Sequence, residues 1–545
     1  MSTPETAEWV VGRVLARQAE ARPDQNFLQF GDDAPVTIGA VDLAATRIGN
    51  ALRTAGVEFG DRVIVMLRNS VEFVEGWFGI NRIGAVLVPV NTAYKGMFLE
   101  HVVNDSGARV AIIDRDFLPL FRESEARMPH LAVAFIVNPD SETERAGFAR
   151  VRAAAFAELL AGSAVPVDTN VATRDIGAII YTSGTTGRSK GVLLPHGHLY
   201  LNPHNYIEQL GLGEFDRFYC CLPLFHANAL LLQTYGALIL GCPVIYARAF
   251  SASGWLDDIK RHRATVTNLL GAMTEFIYRQ PPRPGDSAHE LRIATAVPLP
   301  ASFGPEFERR FGVKLIELYG TTEVNCPFYM PRHEPQRAGS CGRLLERWFD
   351  CRLVDSVTEQ EVSVGETGEL LIRPKEPWTV MVGYHGMPEE TVKTWRNFWF
   401  HTGDAMRRDA EGYYYFVDRM KDCIRRRAEN ISSFEVEQVL IAYEGVAEAA
   451  AIGVPSPFDD GEHEVMACIV PNRGVALDPA ALERFCEERM PGFAVPRIIE
   501  FFDELPKTPT QKVRKHELRE RGAGAAAWRS PKLTARRSRA GRQGA

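Results

Sequence analysis

The sequence predicts an α/β protein: a large N-terminal domain of mostly parallel sheets flanked by helices, followed by a small α+β C-terminal domain. Two observations predict this fold class. Short β-rich runs alternate with helical patterns through most of the 545 residues, which is the βαβ order of a parallel sheet. A charge-dense run at 418–427 then separates this region from a shorter one with a different pattern.

The N-terminal elements follow one another as βαβ units. Apolar, β-branched runs predict strands, and apolar residues at every third or fourth position predict helices. The first elements are a strand at 62–67, a helix at 71–81, a strand at 85–90, a helix at 97–103 and a strand at 110–114. Further strands are predicted at 176–181, 218–222, 244–247, 266–270 and 315–318, with a helix at 303–311. This alternation favours parallel sheets.

The C-terminal region begins at the charge-dense run, which follows a predicted strand at 413–417. The next helix is amphipathic and carries Phe434, Val436, Val439 and Leu440. Compact α+β structure is then indicated by strands at 447–454, 465–470 and 498–502 and a helix at 480–488. We therefore predict a large domain over 1–420, a small domain over 421–522 and a basic tail over 523–545. From Gly522 onward there are six Arg or Lys and no acidic residue, which predicts disorder.

Composition excludes several classes of protein. The hydrophobic fraction of 46% and charged fraction of 24% are ordinary for a globular protein, and the net charge of −7 gives no sign of a nucleic-acid-binding surface. The nine cysteines form no Cys-x-x-Cys set, so neither a disulfide framework nor a zinc site is indicated. The most apolar stretch, 229–240, is too short to span a bilayer, and the N-terminus lacks a signal pattern. We expect a cytoplasmic protein.

The strand at 176–181 leads into a loop rich in glycine and hydroxyl side chains, Tyr181-Thr-Ser-Gly-Thr-Thr-Gly-Arg-Ser-Lys-Gly191. Glycines let the backbone aim its N–H groups at anionic oxygens, hydroxyls add donors, and Lys190 adds a positive charge. The loop is not a Walker loop, because Gly187 lies three residues before Lys190 and a glycine follows that lysine. Composition alone also allows a solvated turn. The pattern favours a phosphate-binding loop.

Four further segments follow this loop along the chain. They are Tyr319-Gly-Thr-Thr-Glu323, His401-Thr-Gly-Asp404, the charged stretch 418–432, and Pro506-Lys-Thr-Pro-Thr-Gln-Lys512. In this order and spacing, the five segments resemble the adenylate-forming superfamily, which contains acyl-CoA synthetases, luciferases and the adenylation domains of peptide synthetases. The resemblance spans residues 8–522, and the last two segments are most similar to bacterial ligases of the crotonobetaine and carnitine type.

The resemblance implies an ATP- and magnesium-dependent acid:CoA ligase that acts in two half-reactions. An oxygen of the acid attacks the α-phosphorus of ATP, pyrophosphate leaves, and the acyl-adenylate then transfers its acyl group to CoA. Negative charge accumulates at phosphorus, so the enzyme has to neutralise the triphosphate and place a cation beside the α-phosphate. The resemblance also implies that the small domain is a mobile lid, which rotates about Lys421 between the half-reactions.

The resemblance assigns the nucleotide-binding roles to particular residues. The β- and γ-phosphates would be held by Thr182, Ser183, Gly184, Thr185, Thr186, Gly187 and Lys190. In the second segment, Tyr319 would pack on adenine, Thr322 would bond the α-phosphate, and Glu323 would bind magnesium, which prefers oxygen ligands. Taken alone, Glu323 also fits an ordinary residue at a strand end.

Four further residues complete the site that the resemblance implies. Asp404 would accept hydrogen bonds from both ribose hydroxyls, and Arg419 would assist at the ribose and phosphate. Taken alone, these two also fit a helix cap and a surface ion pair. Lys512 would be the catalytic cation, which the small domain brings to the α-phosphate. His226 would gate the passage between acyl pocket and thiol channel, although a lone histidine is often structural.

Two positions within the last two segments depart from the family pattern. Gln511 stands where a glycine often precedes the catalytic lysine, and Ala428 stands where relatives usually have a glycine that lines the passage for CoA. Because an added methyl obstructs close approach, we hypothesise that Ala428 leaves adenylation intact and slows transfer to CoA. One alternative is therefore a different acceptor: an amine, a carrier-bound thiol, or nitrite activated for diazotisation. Another, from a different class, is a degenerate nucleotide-binding protein.

The acid-binding pocket is expected to take its walls from four stretches, 225–233, 271–276, 295–298 and 325–328. Their side chains are a mixture of small, aromatic and polar groups. This mixture leaves the chain length and headgroup of the acid open.

Overall fold

The structure is a computed structural model that describes residues 5–139, 147–167, 169–182, 189–299, 303–420, 424–426, 429–431, 433–455, 463–490, 492, 494–508 and 512–533. Its α-helices are α1 (Val11–Ala21), α2 (Ile38–Thr54), α3 (Val71–Arg82), α4 (Met97–Ser106), α5 (Leu118–Ser124), α6 (Phe156–Leu160), α7 (His196–Leu210) and α8 (Gly236–Leu240). They continue with α9 (Trp255–Arg261), α10 (Gly271–Tyr278), α11 (Gly304–Phe311), α12 (Pro388–Thr394), α13 (Ser433–Ile441), α14 (Pro479–Glu487) and α15 (Lys515–Arg521). A π-helix, Asn228–Tyr235, runs directly into α8.

The strands of the large domain begin with β1 (Asn26–Phe30), β2 (Val36–Thr37), β3 (Arg62–Met66), β4 (Val86–Pro89), β5 (Val110–Asp114), β6 (Val133–Val137), β7 (Arg152–Ala155), β8 (Ile176–Thr182), β9 (Lys190–Pro195), β10 (Phe218–Cys220) and β11 (Val244–Tyr246). They continue with β12 (Val266–Leu270), β13 (Ile293–Val297), β14 (Lys314–Ile316), β15 (Leu318–Thr321), β16 (Asn325–Tyr329), β17 (Ser340–Leu344), β18 (Phe349–Val354), β19 (Thr367–Pro374), β20 (Gly383–Tyr384), β21 (Phe400–Arg408) and β22 (Tyr414–Arg419). The strands that follow are β23 (Ile424–Arg426), β24 (Glu429–Ile431), β25 (Val446–Pro455), β26 (His463–Pro471), β27 (Ile498–Phe501) and β28 (Trp528–Arg529).

Two sheets of the large domain are mostly parallel, which confirms the predicted fold class. Sheet I has the order β20-β9-β8-β4-β3-β5-β6-β7. Its β20–β9 and β9–β8 pairs are antiparallel, and its other pairs are parallel. Sheet II has the order β14-β13-β12-β10-β11-β1-β2 and is parallel except between β1 and β2. The loops that leave β10, β12 and β13 therefore start at the carboxyl ends of parallel strands, where ligands of such sheets usually bind.

A third sheet of the large domain is antiparallel, and the sequence did not predict it as a unit. Sheet III has the order β15-β16-β17-β22-β21-β19-β18. The prediction of one strand over 315–318 is wrong, because the chain leaves sheet II at the end of β14 and enters sheet III at β15. Glu317 is the residue between them. A continuous apolar run does not reveal such a change of sheet.

The small domain contains sheet IV, of order β25-β26-β27-β28, with α13, α14 and α15, and a hairpin of β23 and β24. The beginning of the predicted disordered tail is folded. β28 pairs antiparallel with β27, and Leu533 is buried. Trp528 and Leu533 contribute to the two apolar clusters of this domain, which explains why the chain continues past the predicted end at 522. Residues 534–545 lie outside the described part of the chain.

The largest apolar cluster joins sheet II, one face of sheet I and helices α1, α2, α3 and α7, and a second cluster covers the other face of sheet I. Two helix starts follow from side-chain caps. The Thr37 hydroxyl accepts from the N–H of Ala40 at the start of α2, and the Ser70 hydroxyl accepts from the N–H of Phe73 at the start of α3. None of the helices in the described ranges has the length and apolar character needed to cross a membrane.

Candidate active site

Asp404 contacts two of the other residues that the sequence predicts for the nucleotide site. It stands on β21 directly opposite Arg419 on β22, whose Nε lies 2.9 Å from its Oδ1. The hydroxyl of Tyr319, on β15, donates to its Oδ2 at 2.5 Å. Gly403 precedes it with a φ of 69°, a left-handed conformation that favours glycine at this point of the His-Thr-Gly-Asp segment. Sheet III thus brings together three predicted residues that are distant in sequence.

The electrostatics of this cluster keep Tyr319 neutral and Asp404 paired. Burial raises the pKa of Asp404, while the charge of Arg419 and the hydrogen bond from Tyr319 oppose that rise. Burial and the neighbouring carboxylate raise the pKa of Tyr319 well above its ordinary value, so its hydroxyl remains a donor at neutral pH. A buried carboxylate between a guanidinium and a hydroxyl group is well suited to accept hydrogen bonds from a polar ligand.

Lys190 and Glu323 both contact Tyr384, a residue that the sequence analysis missed. The Nζ of Lys190 lies 4.8 Å from the ring centroid of Tyr384, and the Tyr384 hydroxyl donates to Glu323 Oε1 at 3.1 Å. β20, which carries Tyr384, pairs with β9, which carries Lys190. No sequence signal pointed to this residue, because β20 has only two residues and its partner strand is far away along the chain.

Lys190 also forms an ion pair with Glu390 of α12, another residue that the sequence did not indicate. Its Nζ donates to Glu390 Oε1 at 2.5 Å, and this hydrogen bond lowers the pKa of the Glu390 carboxyl. The Thr391 hydroxyl accepts from the backbone N–H of Tyr384 at 2.9 Å, which holds α12 against β20. A phosphate group that bound Lys190 would compete with this carboxylate.

The two ends of the predicted phosphate loop are held by α4. Thr182, the last residue of β8, pairs with Lys190 across the antiparallel β8–β9 pair. The Tyr181 hydroxyl donates to Asp105 at 2.6 Å, and His101 Nε2 lies 2.8 Å from the carbonyl oxygen of Ser189. The part of the loop that lies outside the described residues includes Ser183, Gly184, Thr185, Thr186 and Gly187.

Lys512 lies near the residues predicted for the nucleotide, although it belongs to the small domain. Its side chain keeps an exposed surface, yet protein groups crowd it enough that desolvation lowers the pKa of its ammonium group. The positive charge of Arg419 lowers this pKa further, and Asp404 opposes the change. The Thr508 hydroxyl accepts from the backbone N–H of Lys512 at 3.1 Å, which shapes the loop that carries the lysine. The charge of Lys512 is therefore coupled to those of Arg419 and Asp404 of the large domain.

The half-buried His226 is influenced by the charge of Lys512. Burial, reinforced by the charge of Lys512, lowers the pKa of His226 to about 4, so its imidazole is neutral at physiological pH. The centroid of its ring lies 4.5 Å from the centroid of the Phe225 ring.

Thr322 is half-buried in the turn between β15 and β16. The predicted hinge Lys421, and the departures Ala428 and Gln511, lie outside the described residues.

Glu323 is the acidic residue of the site that the sequence predicts as a metal ligand. Among the described residues, no three His, Cys, Asp or Glu side chains gather closely enough to form a metal site by themselves. Glu323 is half-buried, and one of its carboxylate oxygens accepts from Tyr384. A single carboxylate nevertheless fits Mg²⁺, which is commonly bound by one or two carboxylates together with substrate phosphates and water.

Similarity to known proteins extends over nearly the whole chain. The family model described as AMP-binding enzyme matches residues 15–385, and the model of the AMP-binding enzyme C-terminal domain matches residues 435–512. A feruloyl-CoA synthase of Amycolatopsis sp is 33% identical over 94% of this chain and 99% of its own length. A crotonobetaine/carnitine–CoA ligase of Salmonella heidelberg is 30% identical over 87% of this chain and 91% of its own.

Solved structures show the same architecture. An anthranilate CoA ligase in complex with anthranoyl-AMP superimposes with a TM-score of 0.83 at 27% identity, covering 94% of this chain and 96% of that chain. ATP-bound MatB from Rhodopseudomonas palustris superimposes with a TM-score of 0.82 at 26% identity, covering 94% of this chain and 98% of that chain.

Proposed function

This chain belongs to the AMP-binding enzyme family, and from that membership we propose how its residues divide the work of an acid:CoA ligase. Its reaction converts a carboxylic acid and ATP into an acyl-adenylate and pyrophosphate, and then transfers the acyl group to CoA as a thioester. The relatives are CoA ligases, which favours CoA over an amine, a carrier thiol or nitrite as the reaction partner. The observation that carries the assignment of residues is the electrostatic coupling of Lys512 to Asp404, Arg419 and His226, together with the contacts of Arg419 and Tyr319 with Asp404.

The nucleoside is held by sheet III in this proposal. Asp404 accepts hydrogen bonds from the ribose hydroxyls, Arg419 contacts the ribose and phosphate, and the Tyr319 ring packs on adenine. The arrangement supports these roles because Arg419 and Tyr319 already fix the two oxygens of Asp404. Thr322, in the turn that follows β15, bonds the α-phosphate.

The ends of β8 and β9 hold the phosphates in this proposal, and Glu323, in the turn between β15 and β16, would hold the metal. The loop from Thr182 to Lys190, including Ser183, Gly184, Thr185, Thr186 and Gly187, holds the β- and γ-phosphates. Glu323 holds Mg²⁺, which supplies charge neutralisation to the phosphate oxygens when bound. Tyr384 supports both assignments, since it contacts Lys190 through its ring and Glu323 through its hydroxyl.

Replacing Glu390 by glutamine is expected to lower the KM for ATP about two- to fivefold. A neutral amide competes less well than a carboxylate for Lys190, and the pair is partly exposed, so the effect is modest. Initial rates of pyrophosphate release at varied ATP concentration measure it. The matched control is Glu389→Gln, which changes the preceding carboxylate of α12 and should leave the KM unchanged. An unchanged or higher KM in Glu390→Gln would show that the ion pair does not oppose phosphate binding.

Lys512 carries the chemistry of the first half-reaction in this proposal. Its ammonium group stabilises the charge that develops as the acid's oxygen bonds to the α-phosphorus and the bond to pyrophosphate breaks. His226 stays neutral and gates the passage between the acyl pocket and the thiol channel. In the second half-reaction the sulfur of CoA bonds to the acyl carbon and AMP leaves.

The boundary between the two domains near residue 420 remains our proposal, with the small domain extended to Leu533.

A panel of carboxylic acids tests the function directly. Each acid is incubated with ATP and Mg²⁺, with and without CoA, and pyrophosphate, AMP and thioester are measured. We expect acid-dependent pyrophosphate release without CoA, and thioester formation with it. Adenylation without thioester for every acid would favour another acceptor. A lack of acid-dependent pyrophosphate release would reject the assignment.

The described cysteines are all free, which supports our proposal of a reducing, cytoplasmic location.

A further inference from the structure

Three uncharged side chains form a hydrogen-bonded relay that begins in the core and ends beside His226. The hydroxyl of Tyr206, on α7, donates to Asn268 Oδ1 at 2.6 Å. The amide nitrogen of Asn268, on β12, donates to Asn228 Oδ1 at 2.7 Å. Tyr206 and Asn268 are fully buried, while Asn228 is half-buried and stands two residues after His226. The relay thus runs from the buried interior to a half-buried residue close to His226 in the sequence.

The π-helix explains how a fourth polar group joins this relay. In a π-helix, residues five apart are hydrogen-bonded neighbours, as in the bond from the Thr234 hydroxyl to the Ala229 carbonyl. The same spacing places the amide nitrogen of Gln233 3.3 Å from Asn228 Oδ1. The other end of that amide, Gln233 Oε1, is buried and has no hydrogen-bond partner in the described structure. A buried acceptor without a donor is costly, and a hydroxyl group bound next to Asn228 would satisfy it.

The direction of the relay follows from the buried hydroxyl at its start. Tyr206 has one proton to donate, and in the present arrangement Asn268 accepts it. If both asparagine amides were reversed, that buried proton would face the amide nitrogen of Asn268 and lose its acceptor. The favoured direction therefore leaves the Nδ2 of Asn228 as the terminal donor. No hydrogen bond from this nitrogen to another described residue is present.

We propose that Asn228 and Gln233 select acids that carry an uncharged hydroxyl group away from the reacting carboxylate. Asn228 donates to the hydroxyl oxygen, and Gln233 Oε1 accepts its proton, so one group satisfies both amides. The inference rests on the proposed function, because it takes the space next to His226 as the acyl pocket. A second carboxylate is disfavoured, since the relay is built from neutral groups and burial of a charge without an ion pair is costly.

Thr295 supports a hydroxyl-bearing ligand independently. It is the register partner of Asn268 on the adjacent parallel strand β13, so the two side chains lie on the same face of sheet II. Its hydroxyl is buried and has no partner among the residues described. Two polar groups without a partner therefore adjoin members of the relay: Gln233 adjoins Asn228, and Thr295 adjoins Asn268.

The experiment compares pairs of acids that differ by one hydroxyl group, such as cinnamate with 4-hydroxycinnamate and butanoate with 4-hydroxybutanoate. We expect the wild-type enzyme to favour the hydroxylated member of at least one pair by about tenfold in kcat/KM, measured as pyrophosphate release. Asn228→Leu should reduce this preference to about twofold or less, mainly by loss of activity on the hydroxylated acid. Asn50→Leu, which replaces an amide on α2, is the control and should keep the wild-type preference.

A second variant covers the possibility that Asn228→Leu does not fold. Tyr206→Phe removes only the buried hydroxyl that sets the direction of the relay, so the preference should fall by about threefold while the rate with the parent acid is kept. No preference in the wild-type enzyme, or an unchanged preference in both variants, would overturn the inference while the ligase assignment stands. Absence of pyrophosphate release with every acid would instead reject the proposed function.

Discussion

Replacement of Lys512 by alanine is expected to slow acid-dependent pyrophosphate release by about 10²–10³-fold, the usual cost of removing one group that stabilises transition-state charge. Desolvation of this lysine and the influence of the Arg419 and Asp404 charges on its ammonium group support the proposed role beside the nucleotide. Lys512→Arg should recover part of the rate, because the charge is kept while the geometry changes. The KM for ATP should change much less than kcat.

The assignment of Lys512 to the first half-reaction makes this prediction specific. Thioester formation from a pre-formed acyl-adenylate and CoA should be nearly normal in Lys512→Ala. Lys507→Ala is the matched control, since Lys507 lies on the same small-domain hairpin and is paired with Glu448. If Lys512→Ala kept its rate of AMP formation, or lost both half-reactions equally, Lys512 would not be the cation that acts at the α-phosphorus.

Asp404→Asn is expected to raise the KM for ATP by about 10- to 100-fold, because a charge-assisted hydrogen bond contributes about 1.5–3 kcal/mol. The substitution keeps the shape of the side chain, removes the charge that pairs with Arg419, and replaces one acceptor oxygen by a donor. Initial rates at varied ATP concentration measure the change.

Comparison of ATP with 2′-deoxy-ATP tests whether this carboxylate binds the ribose. The wild-type enzyme should discriminate against the deoxynucleotide, and Asp404→Asn should discriminate much less, since the acceptor of that hydroxyl is already weakened. Asp350→Asn serves as control, because Asp350 lies on the same sheet and pairs with Arg373 at its surface. Equal discrimination in wild type and Asp404→Asn would remove Asp404 from the ribose site.

Local sequence patterns were sufficient to predict much of the fold and the family. The alternation of strands and helices predicted the parallel sheets I and II, and the segments ending at Glu323, Asp404 and Lys512 predicted the membership that the comparisons confirm. These signals are local because a strand needs β-branched runs, a left-handed turn needs glycine, and a phosphate site needs donors and positive charge. The prediction of a disordered tail does not hold over residues 523–533, since composition does not show that Trp528 and Leu533 pack in the apolar clusters of the small domain.

The amino-acid sequence by itself determined the family and its reaction, because the groups proposed to hold phosphate, ribose and metal are recognised by residue type and spacing. Only the tertiary structure decided which side chains surround those groups. Tyr384 and Glu390 reach Lys190 through the pairing of β20 with β9, and Asn228 is oriented by a relay from α7 and β12. The physical reason is that a sequence pattern shows the period and burial of one element, whereas contacts between distant residues depend on which elements pair.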